Sequence, residues 1–455
     1  MKGKFSFWTI CRLKRFSLVG FFLPLIIKAL FEVAYANSFS VLFGYLGDKY
    51  NPSLLKFWVS WGAAIVFSFL SISLSKKSFI SKLFNFFLYL SIVPSLSVFW
   101  LKDESQVAFI LIIVYWLIWW FCSYLVVLFE SNNSFSRTNH VISLSNENNP
   151  FASLFIVIVF LFVAGMVLFF SAKYGNYRLF IRLDDVYDYR LSDENTMSAI
   201  ESYIFAFITN IILPLFLCIH FLKKRFIYFI FDTFLLLLCY GIYGNKSMLF
   251  TIPLIIGFVL LSKMNLLKEV DTLLGFFLIA YLALCINPSN VWISALGDRL
   301  ITIPAIGHYN YYDFFSQPEH PLLFLRESIM RVVSVSPYET AVSKIIGSSP
   351  VYYSGKYNNM NNGLFSAAYA NFGYLGVFIQ PPVIVFTFAY YIKKLSWYDD
   401  LITITFISLS VLFLLSTAFT TWLLTGGLVL NLVLLVLFRR LKTLDLISSS
   451  LDVLS

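Results

Sequence analysis

The sequence predicts an all-α integral membrane protein, and two features of its composition lead to that class. Of its 455 residues 59% are hydrophobic and only 13% are charged, and the chain contains 51 Phe and 27 Tyr. Apolar stretches of about 20 residues, the length that a helix needs to cross a bilayer, recur along the chain. A soluble fold cannot bury so much apolar surface, so lipid must be the solvent for much of the molecule.

Scanning for such stretches predicts about twelve transmembrane helices in a single polytopic domain covering 1–455. The pair at 226–243 and 247–262 is separated by so few residues that eleven to thirteen helices are compatible with the pattern. The predicted helices lie near 17–37, 55–75, 83–101, 107–129, 151–171, 201–222, 226–243, 247–262, 272–288, 366–392, 400–419 and 422–438.

Lys and Arg in the short loops predict the orientation, because cytoplasmic loops are enriched in both. With alternating faces, 19 basic residues fall on the side of the N-terminus, whereas the short loops of the other side hold only Lys49, Lys102 and Lys246. Both termini are therefore predicted to be cytoplasmic. The formal net charge of +9 follows from this asymmetry, so it does not indicate nucleic acid as a partner.

Two sizeable segments, 172–200 and 289–365, are predicted to lie on the outer face. The long inner segment 130–150 is rich in Ser and Asn and is typical of a solvated linker. The two halves of the chain show no related pattern, although many transporters are built from related halves. We therefore expect the chemistry of this protein on the outer face.

The first outer segment contains the charged stretch RLDDVYDYR at 182–190. On a helix Arg182 and Asp185 would stand at i,i+3, so local ion pairing is one interpretation. The other is that the arginines bind phosphate or diphosphate through the planar guanidinium fork. Three arginines cluster here, Arg178, Arg182 and Arg190, although arginine is depleted on outer faces.

The second outer segment contains the aromatic stretch HYNYYDFF at 308–315, which includes Tyr311 and Tyr312. Aromatic rings stack on the apolar faces of sugars, and tyrosine adds a hydroxyl group that forms hydrogen bonds. These residues are therefore candidates for substrate binding. The alternative is an interfacial collar at the level of the lipid headgroups, where tyrosine commonly collects.

A third stretch, NGLFSAAYANFGYLGVFIQPP at 362–382, leads into the tenth predicted helix. Tyr369 and Asn371 are polar groups at the membrane boundary, where burial requires hydrogen-bond partners, and both are candidates for substrate binding. Pro381 and Pro382 are predicted to break the helix near its middle.

Cysteine and histidine spacing predicts neither a disulfide nor a metal site. All five cysteines fall in predicted helices or in the N-terminal tail, and the chain contains no CxxC and no HExxH. We expect no metal and no cofactor.

These segments resemble bacterial O-antigen polymerases, the membrane enzymes that polymerise lipid-linked oligosaccharide repeat units. The resemblance rests on the layout of about twelve helices with two outer loops, on NGLFSAAYANFGYLG, on GDRLITIPA followed by YYDFF, on VYDYR and on GNKS. Two features depart from that pattern. Ala367 stands where some relatives carry an acid, and no loop arginine fits an Arg-x10-Gly spacing.

The resemblance implies a glycosyltransferase with a membrane-embedded, GT-C-like helical fold in the bacterial inner membrane. Its substrates would be oligosaccharides linked to undecaprenyl diphosphate: a growing chain as donor and the next repeat unit as acceptor. Besides membrane lipid, a protein that regulates chain length would be a partner.

The resemblance also implies roles for the outer residues. Cleavage of the glycosyl–phosphate bond builds charge on the departing diphosphate, which preorganised cations stabilise. The candidates for diphosphate binding are Arg190, Arg299 and Lys246, followed by Arg178 and Arg331. The acceptor hydroxyl must lose a proton to a base, and His308 is the preferred candidate, with Asp313 as the alternative.

Two other functions stay open from the sequence. An O-antigen ligase would share the helix count and the outer arginines. A flippase for lipid-linked oligosaccharide would also have about twelve helices, but it should show related halves and charges lining a cavity, whereas intramembrane charges are few here, chiefly Lys28, Glu32 and Asp232.

Overall fold

The computed structural model is mainly helical in the part of the chain that it describes, and those residues contain no strand. The described residues are 18–74, 78–132, 150–174, 197–222, 224–243, 246–350, 360, 363–395, 400–424, 426, 428, 429 and 433.

Seven helices in the described residues are long and apolar enough to cross a membrane. They are Leu18–Leu46, Leu54–Ser73, Phe79–Leu101, Gln106–Glu130, Val157–Tyr174, Ile200–Phe221 and Tyr374–Leu395, and Phe226–Ile242 and Thr251–Lys263 are shorter apolar helices. The predicted class of an all-α membrane protein is confirmed at this level. The count of twelve spans and the orientation remain predictions.

We number the helices in chain order, counting as one helix those that continue through a π or 3-10 turn. They are α1 (Leu18–Leu46), α2 (Leu54–Ser73), α3 (Phe79–Leu101), α4 (Gln106–Asn132), α5 (Pro150–Tyr174), α6 (Ile200–Phe221), α7 (Phe226–Tyr243), α8 (Lys246–Lys263), α9 (Val270–Cys285), α10 (291–315), α11 (Val342–Ser348), α12 (Leu364–Phe372), α13 (Tyr374–Leu395), α14 (Asp400–Leu414) and α15 (Phe419–Leu424).

The chain divides into two compact units. The first comprises Met1–Ser136, Lys268–Tyr390 and Val411–Thr420, and the second comprises Arg137–Leu267, Tyr391–Ser410 and Thr421–Ser455. In the first unit α1 packs on α2 and α9, α2 packs on α3, and α10 packs on α3, α4 and α12. In the second unit α7 packs on α5, α6 and α8.

A buried ion pair holds the first three helices of the first unit together. Lys28 Nζ in α1 donates to Glu32 Oε1 at 2.6 Å, to Ser60 Oγ of α2 at 2.6 Å and to Ser97 Oγ of α3 at 3.1 Å. The ammonium group has three donor hydrogens, and each finds an acceptor. The pairing that the i,i+4 spacing indicates is therefore present.

The carboxylate of Glu32 also accepts hydrogen bonds from several neighbours. Besides Lys28, its carboxylate accepts from Trp61 Nε1 of α2 at 3.1 Å and from Trp100 Nε1 of α3 at 2.7 Å. A charged pair can lie inside an apolar bundle when both partners are satisfied in this way. This network fixes how α1, α2 and α3 meet.

Four of the described helices contain a π turn, in which one residue more than in a regular α-helix is accommodated. The turns are Tyr35–Phe39 in α1, Leu88–Ile92 in α3, Ile208–Ile212 in α6 and Asp298–Thr302 in α10. Such turns keep the helix continuous while changing which face each half presents.

The tenth predicted helix is interrupted at a different place from the one expected. Pro381 and Pro382 lie inside the continuous helix α13, so the predicted break there is wrong. A Pro in a membrane helix removes an N–H donor without ending the helix when the surroundings satisfy the freed carbonyl groups. The interruption lies at Gly373, between α12 and α13, where φ is +57°.

Gly376 allows the chain to fold back closely after that interruption. A Cβ atom built on Gly376 would lie 2.0 Å from the carbonyl oxygen of Ala368 in α12. No side chain fits at that distance, so a glycine is required for α12 and α13 to adopt this corner.

The second unit contains its own buried pair. His220 Nδ1 of α6 lies 2.6 Å from Asp232 Oδ2 of α7, and the imidazole stacks on Phe216 with ring centroids 5.8 Å apart. Asp232, one of the few intramembrane charges noted in the sequence, is therefore paired with a histidine of the neighbouring helix.

Candidate functional site

Two segments that the sequence singles out separately pack against each other in the first unit. The aromatic stretch 308–315 forms the end of α10, and the AAYANF stretch forms α12. The rings of Tyr312 and Tyr369 lie 5.0 Å apart, those of His308 and Phe365 lie 5.6 Å apart, and Tyr311 donates its hydroxyl to the carbonyl of Met360 at 3.1 Å. This pair of helices is the candidate site.

His308 is enclosed between three parts of the first unit. Its Nδ1 lies 2.9 Å from Ser95 Oγ of α3, and its neighbour Tyr309 donates to the Ser95 carbonyl at 2.8 Å. A Cβ on Gly363 would lie 3.1 Å from His308 Nε2, so the chain passes close to that nitrogen. The side chain is 1% exposed, and burial lowers its pKa to about 3, which keeps the imidazole neutral at pH 7.

Three tyrosines lie where α10 meets the corner between α12 and α13. Tyr312 and Tyr369 are buried, with 8% and 3% exposure, and Tyr374 is 55% exposed. The ring of Tyr374 stands edge-on to that of Tyr369, with centroids 5.8 Å apart, and its hydroxyl interacts with those of both buried tyrosines. Burial raises the pKa of Tyr312 to about 12, so its hydroxyl stays protonated and can donate.

Asn371 fastens the loop that follows α10 to α12. Its Oδ1 accepts from the main-chain N–H of Leu325 at 2.7 Å, and its Nδ2 donates to the carbonyl of Ala367 at 2.7 Å. The loop is strained at this point, with φ of 45° at Phe324 and 64° at Leu325. The partners that burial requires are thus main-chain groups. Contact of Asn371 with substrate stays a prediction.

The loop that follows α3 brings two charged side chains to the candidate site. Lys102 Nζ lies 3.3 Å from Glu104 Oε1. Lys56 of α2 holds the loop by binding Asp103 Oδ1 at 2.6 Å and by donating to the Glu104 carbonyl at 2.6 Å. Asp103 adopts φ of 55°, which the ion pair helps to maintain. Lys102 and Glu104 are therefore held in place.

Asp313, the alternative base, is half-buried and follows Tyr312 on α10. Burial raises its pKa to about 6, the negative charge of Glu104 adds to that effect, and the positive charge of Lys102 opposes it. Asp313 also faces Tyr312 and Tyr369. A carboxyl group with this pKa can both accept and release a proton near neutral pH.

A pair of buried carboxyl groups lies near Lys102. Asp48, which follows α1, and Asp298 of α10 are 0% and 3% exposed and lie against each other. Burial raises the pKa of Asp48 to about 6 against the pull of Lys102, and burial together with Asp48 raises that of Asp298 well above its usual range despite Arg299. Burial therefore favours the protonated form of both carboxyl groups, and Asp48 adds to that effect at Asp298.

The predicted diphosphate-binding residues are only partly described. Arg299 is half-buried next to Asp298 in the first unit. Lys246 begins α8 in the second unit and Arg331 lies in a 3-10 turn, and both side chains lie outside the described residues. Arg178 and Arg190 fall within 175–196 and also lie outside them. The structure therefore brings His308, Asp313, Tyr311, Tyr312, Tyr369 and Asn371 into one region, and it does not test the arginine cluster.

Sequence reasoning did not identify Tyr374, Glu104 and Asp48 as site residues. Tyr374 lies in the AYANFGYLG stretch, five positions after Tyr369, so its aromatic character next to a glycine was an available signal. Glu104 and Asp48 stand in short loops, and no spacing along the sequence connects either of them to α10.

The described residues contain no group of three or more His, Cys, Asp or Glu side chains that could hold a metal ion. Comparison with protein-family models, with curated proteins and with solved structures finds no match for this chain.

Proposed function

We propose that this protein is an O-antigen polymerase of the bacterial inner membrane, a glycosyltransferase that joins oligosaccharide repeat units linked to undecaprenyl diphosphate at the periplasmic face. The observation that carries the proposal is the packing of the aromatic end of α10 on α12. These are two of the stretches on which the family resemblance rests, and they converge from positions about 60 residues apart in the chain.

The proposed reaction transfers the growing glycan to the next lipid-linked unit. A hydroxyl oxygen of the acceptor sugar attacks the anomeric carbon of the donor and loses its proton to a base. The bond from that carbon to the diphosphate oxygen breaks, and its electron pair leaves with the lipid diphosphate. In this scheme Arg190, Arg299, Lys246, Arg178 and Arg331 are the candidates to stabilise the charge on the leaving group.

The tyrosines suit a carbohydrate substrate. Tyr374 offers an exposed ring and hydroxyl above the buried Tyr312 and Tyr369. Rings of this kind stack on the apolar faces of sugars while their hydroxyls form hydrogen bonds. The half-buried Asp313 next to them supplies a group that can titrate near neutral pH.

Transport is less well supported by the buried charges. In a flippase the intramembrane charges would line a path for the substrate, but Lys28 is 0% exposed and saturated with acceptors. Asp232 is likewise 0% exposed and bound to His220. Both pairs are typical of helix packing.

The first experiment is a gel of lipopolysaccharide from the source bacterium after deletion of this gene. A polymerase defect leaves core carrying a single repeat unit, because export and ligation continue. Bare core without any repeat unit would instead indicate export or ligation, and the proposal would be wrong.

The second experiment restores the deletion strain with point variants at equal protein level. Arg299→Ala and Arg190→Ala are expected to shorten or abolish the ladder, and Arg299→Lys tests whether charge alone suffices or the planar fork is needed. His308→Gln is tested in the same series, because glutamine can keep a hydrogen bond to Ser95 while the imidazole is lost. An unchanged ladder in Arg190→Ala and Arg299→Ala would remove both from the diphosphate site.

A further inference from the structure

The two candidate bases differ in their access to a substrate. His308 is 1% exposed and its Nδ1 is occupied by Ser95. Asp313, only five positions later on the same helix, is half-buried, and no side-chain or main-chain donor within hydrogen-bond distance of its carboxylate is found in the described residues. Of the two groups, only Asp313 can meet a hydroxyl that arrives from outside without rearrangement of the helices.

Asp313 lies beside the tyrosine cluster formed by Tyr312, Tyr369 and Tyr374. Asp313 follows Tyr312 directly on α10, and the ring of Tyr312 lies 5.0 Å from that of Tyr369. The negative charge of Asp313 acts on both phenol groups. Tyr374 is the exposed member of the cluster, and its hydroxyl interacts with the other two. A sugar stacked on Tyr374 would therefore have a carboxylate within reach at its edge.

The loop after α3 controls the charge next to Asp313. The charge of Glu104 raises the pKa of Asp313 and that of Lys102 lowers it. Both residues lie on a loop that is held in place by Lys56 and by the end of α3. A main-chain hydrogen bond of 3.1 Å from the N–H of Glu104 to the carbonyl of Phe99 also holds this loop. A group whose surroundings are fixed in this way is preorganised for proton transfer.

We propose that Asp313 is the base that deprotonates the acceptor sugar, and that Tyr312, Tyr369 and Tyr374 form the subsite that holds that sugar. The inference rests on the proposed function, and it assigns His308 a positioning role in which its bond to Ser95 fixes α10 against α3.

The proton balance of this step is simple. As the acceptor oxygen forms its bond to the anomeric carbon, its proton moves to the Asp313 carboxylate. The electron pair of the broken carbon–oxygen bond leaves with the lipid diphosphate. Asp313 then releases the proton to water and returns to its starting state.

The ionisation of Asp313 gives the proposal a signature in the dependence of rate on pH. The base must be deprotonated, so the rate falls as pH drops through its pKa, which lies at about 6. The groups facing Asp313 are Glu104, Lys102, Tyr312 and Tyr369, and the tyrosines stay neutral in this range. Removing the charge of Glu104 lowers the pKa of Asp313 and moves the acidic limb to lower pH.

The experiment measures polymerisation by the purified full-length protein in nanodiscs, with the lipid-linked repeat unit extracted from the deletion strain as substrate. Asp313→Asn is expected to lower kcat by about a hundredfold or more, and Asp313→Glu to recover part of it. Tyr374→Phe is expected to raise KM for the acceptor about fivefold, the effect of one hydrogen bond, with a smaller change in kcat. Glu319→Gln, which neutralises an exposed carboxylate six positions after Asp313, is the matched control and should leave both unchanged.

Two results would overturn the proposal. One is an Asp313→Asn protein with wild-type kcat. The other is a Glu104→Gln protein whose rate falls at the same acidic pH as that of the wild type. This second result decides the question if Asp313→Asn does not fold. The rate of His308→Gln should fall at the same acidic pH as that of the wild type. Loss of this pH dependence in His308→Gln alone would make His308 the base. If the wild-type protein itself forms no polymer, the proposed function fails first, and the variants are not needed to show it.

Discussion

The side-chain oxygen of Asn371 accepts a hydrogen bond of 2.7 Å from the main-chain N–H of Leu325, a residue 46 positions earlier in the chain. The same amide group donates to the carbonyl of Ala367 one turn back in α12. One side chain therefore ties a strained loop to the helix that carries Tyr369, and the geometry of the tyrosine cluster depends on it.

Replacing Asn371 by Ala should free the loop around Leu325. We expect the free energy of unfolding to fall by about 1–3 kcal/mol, because a buried donor and a buried acceptor both lose their partner. Hydrogen exchange of the Leu325 amide should accelerate in the folded protein. Asn371→Asp is the control, since it keeps an acceptor for Leu325 while losing the bond to Ala367. If the Leu325 amide exchanged at the same rate in Asn371→Ala and in the wild type, the hydrogen bond from Leu325 to Asn371 would not be what holds this loop.

The corner between α12 and α13 should not tolerate a side chain at Gly376. A Cβ there meets the Ala368 carbonyl oxygen at 2.0 Å, so Gly376→Ala must push the two helices apart. We expect a strong loss of folded protein and of thermal stability in detergent. Gly62→Ala in α2 is the control, because nothing lies within 4 Å of its Cβ position, and it should gain up to about 1 kcal/mol of helix propensity.

Loss of Lys28 should destabilise the first unit severely. Lys28→Met leaves Glu32 buried with an uncompensated charge, a change that costs about 3–5 kcal/mol in comparable sites. The double variant Lys28→Met/Glu32→Gln should recover part of that loss, since glutamine is neutral and still accepts a hydrogen bond from tryptophan. Lys49→Met, at an exposed position, serves as the control. Denaturation in detergent measures the wild type, these variants and Glu32→Gln alone. A loss in the double variant equal to the sum of the losses in the two single variants would argue against the pair.

The carboxyl pair of Asp48 and Asp298 should make stability depend on pH. Both groups bind a proton more tightly in the folded protein than in the unfolded chain, because burial raises their pKa. This contribution is greatest below the ordinary carboxyl pKa of about 4 and is lost as pH rises through about 6, the raised pKa of Asp48.

Wild-type protein should therefore melt at a higher temperature at pH 5 than at pH 8. Asp298→Asn should flatten that difference, since the amide removes one of the two charges while keeping the shape. Glu319→Gln, at an exposed position away from this loop, provides the comparison, and it should retain the wild-type slope. A slope unchanged in Asp298→Asn would mean that the pH dependence of stability does not come from this pair.

Apolar length was enough to predict the most strongly apolar helices, and their observed bounds follow the prediction closely. The helices predicted near 55–75 and 107–129 extend over Leu54–Ser73 and Gln106–Asn132. The helix at 291–315 was harder to predict, because Asp298, Arg299 and His308 interrupt the apolar pattern within a segment predicted as an outer loop. That helix is buried by its contacts with α3, α4 and α12, which no local window can contain.

The candidate site was predictable only in part for the same reason. Tyr312 and Tyr369 carry an aromatic signal that can be recognised in a single segment, and the structure brings them together. Glu104 and Asp48 carry none, because their effect on α10 arises from packing between distant parts of the chain. Likewise the break at Gly373 was missed since Pro381 and Pro382 gave a stronger local signal than a glycine whose φ is set by a tertiary corner.

The π turn Asp298–Thr302 has a consequence for how this chain can change in length. One residue of a helix corresponds to a rotation of about 100°. The turn stands between Asp298, which meets Asp48, and His308, which meets Ser95, so it sets the angular phase between those two contacts. Deleting Leu300, Ile301 or Thr302 would therefore restore a regular helix and leave Asp298 and His308 facing the same neighbours, because the π turn already accommodates one extra residue. In α10, as in the three other described helices with a π turn, loss of one codon within the turn is therefore a smaller perturbation than the same loss in a regular stretch of helix.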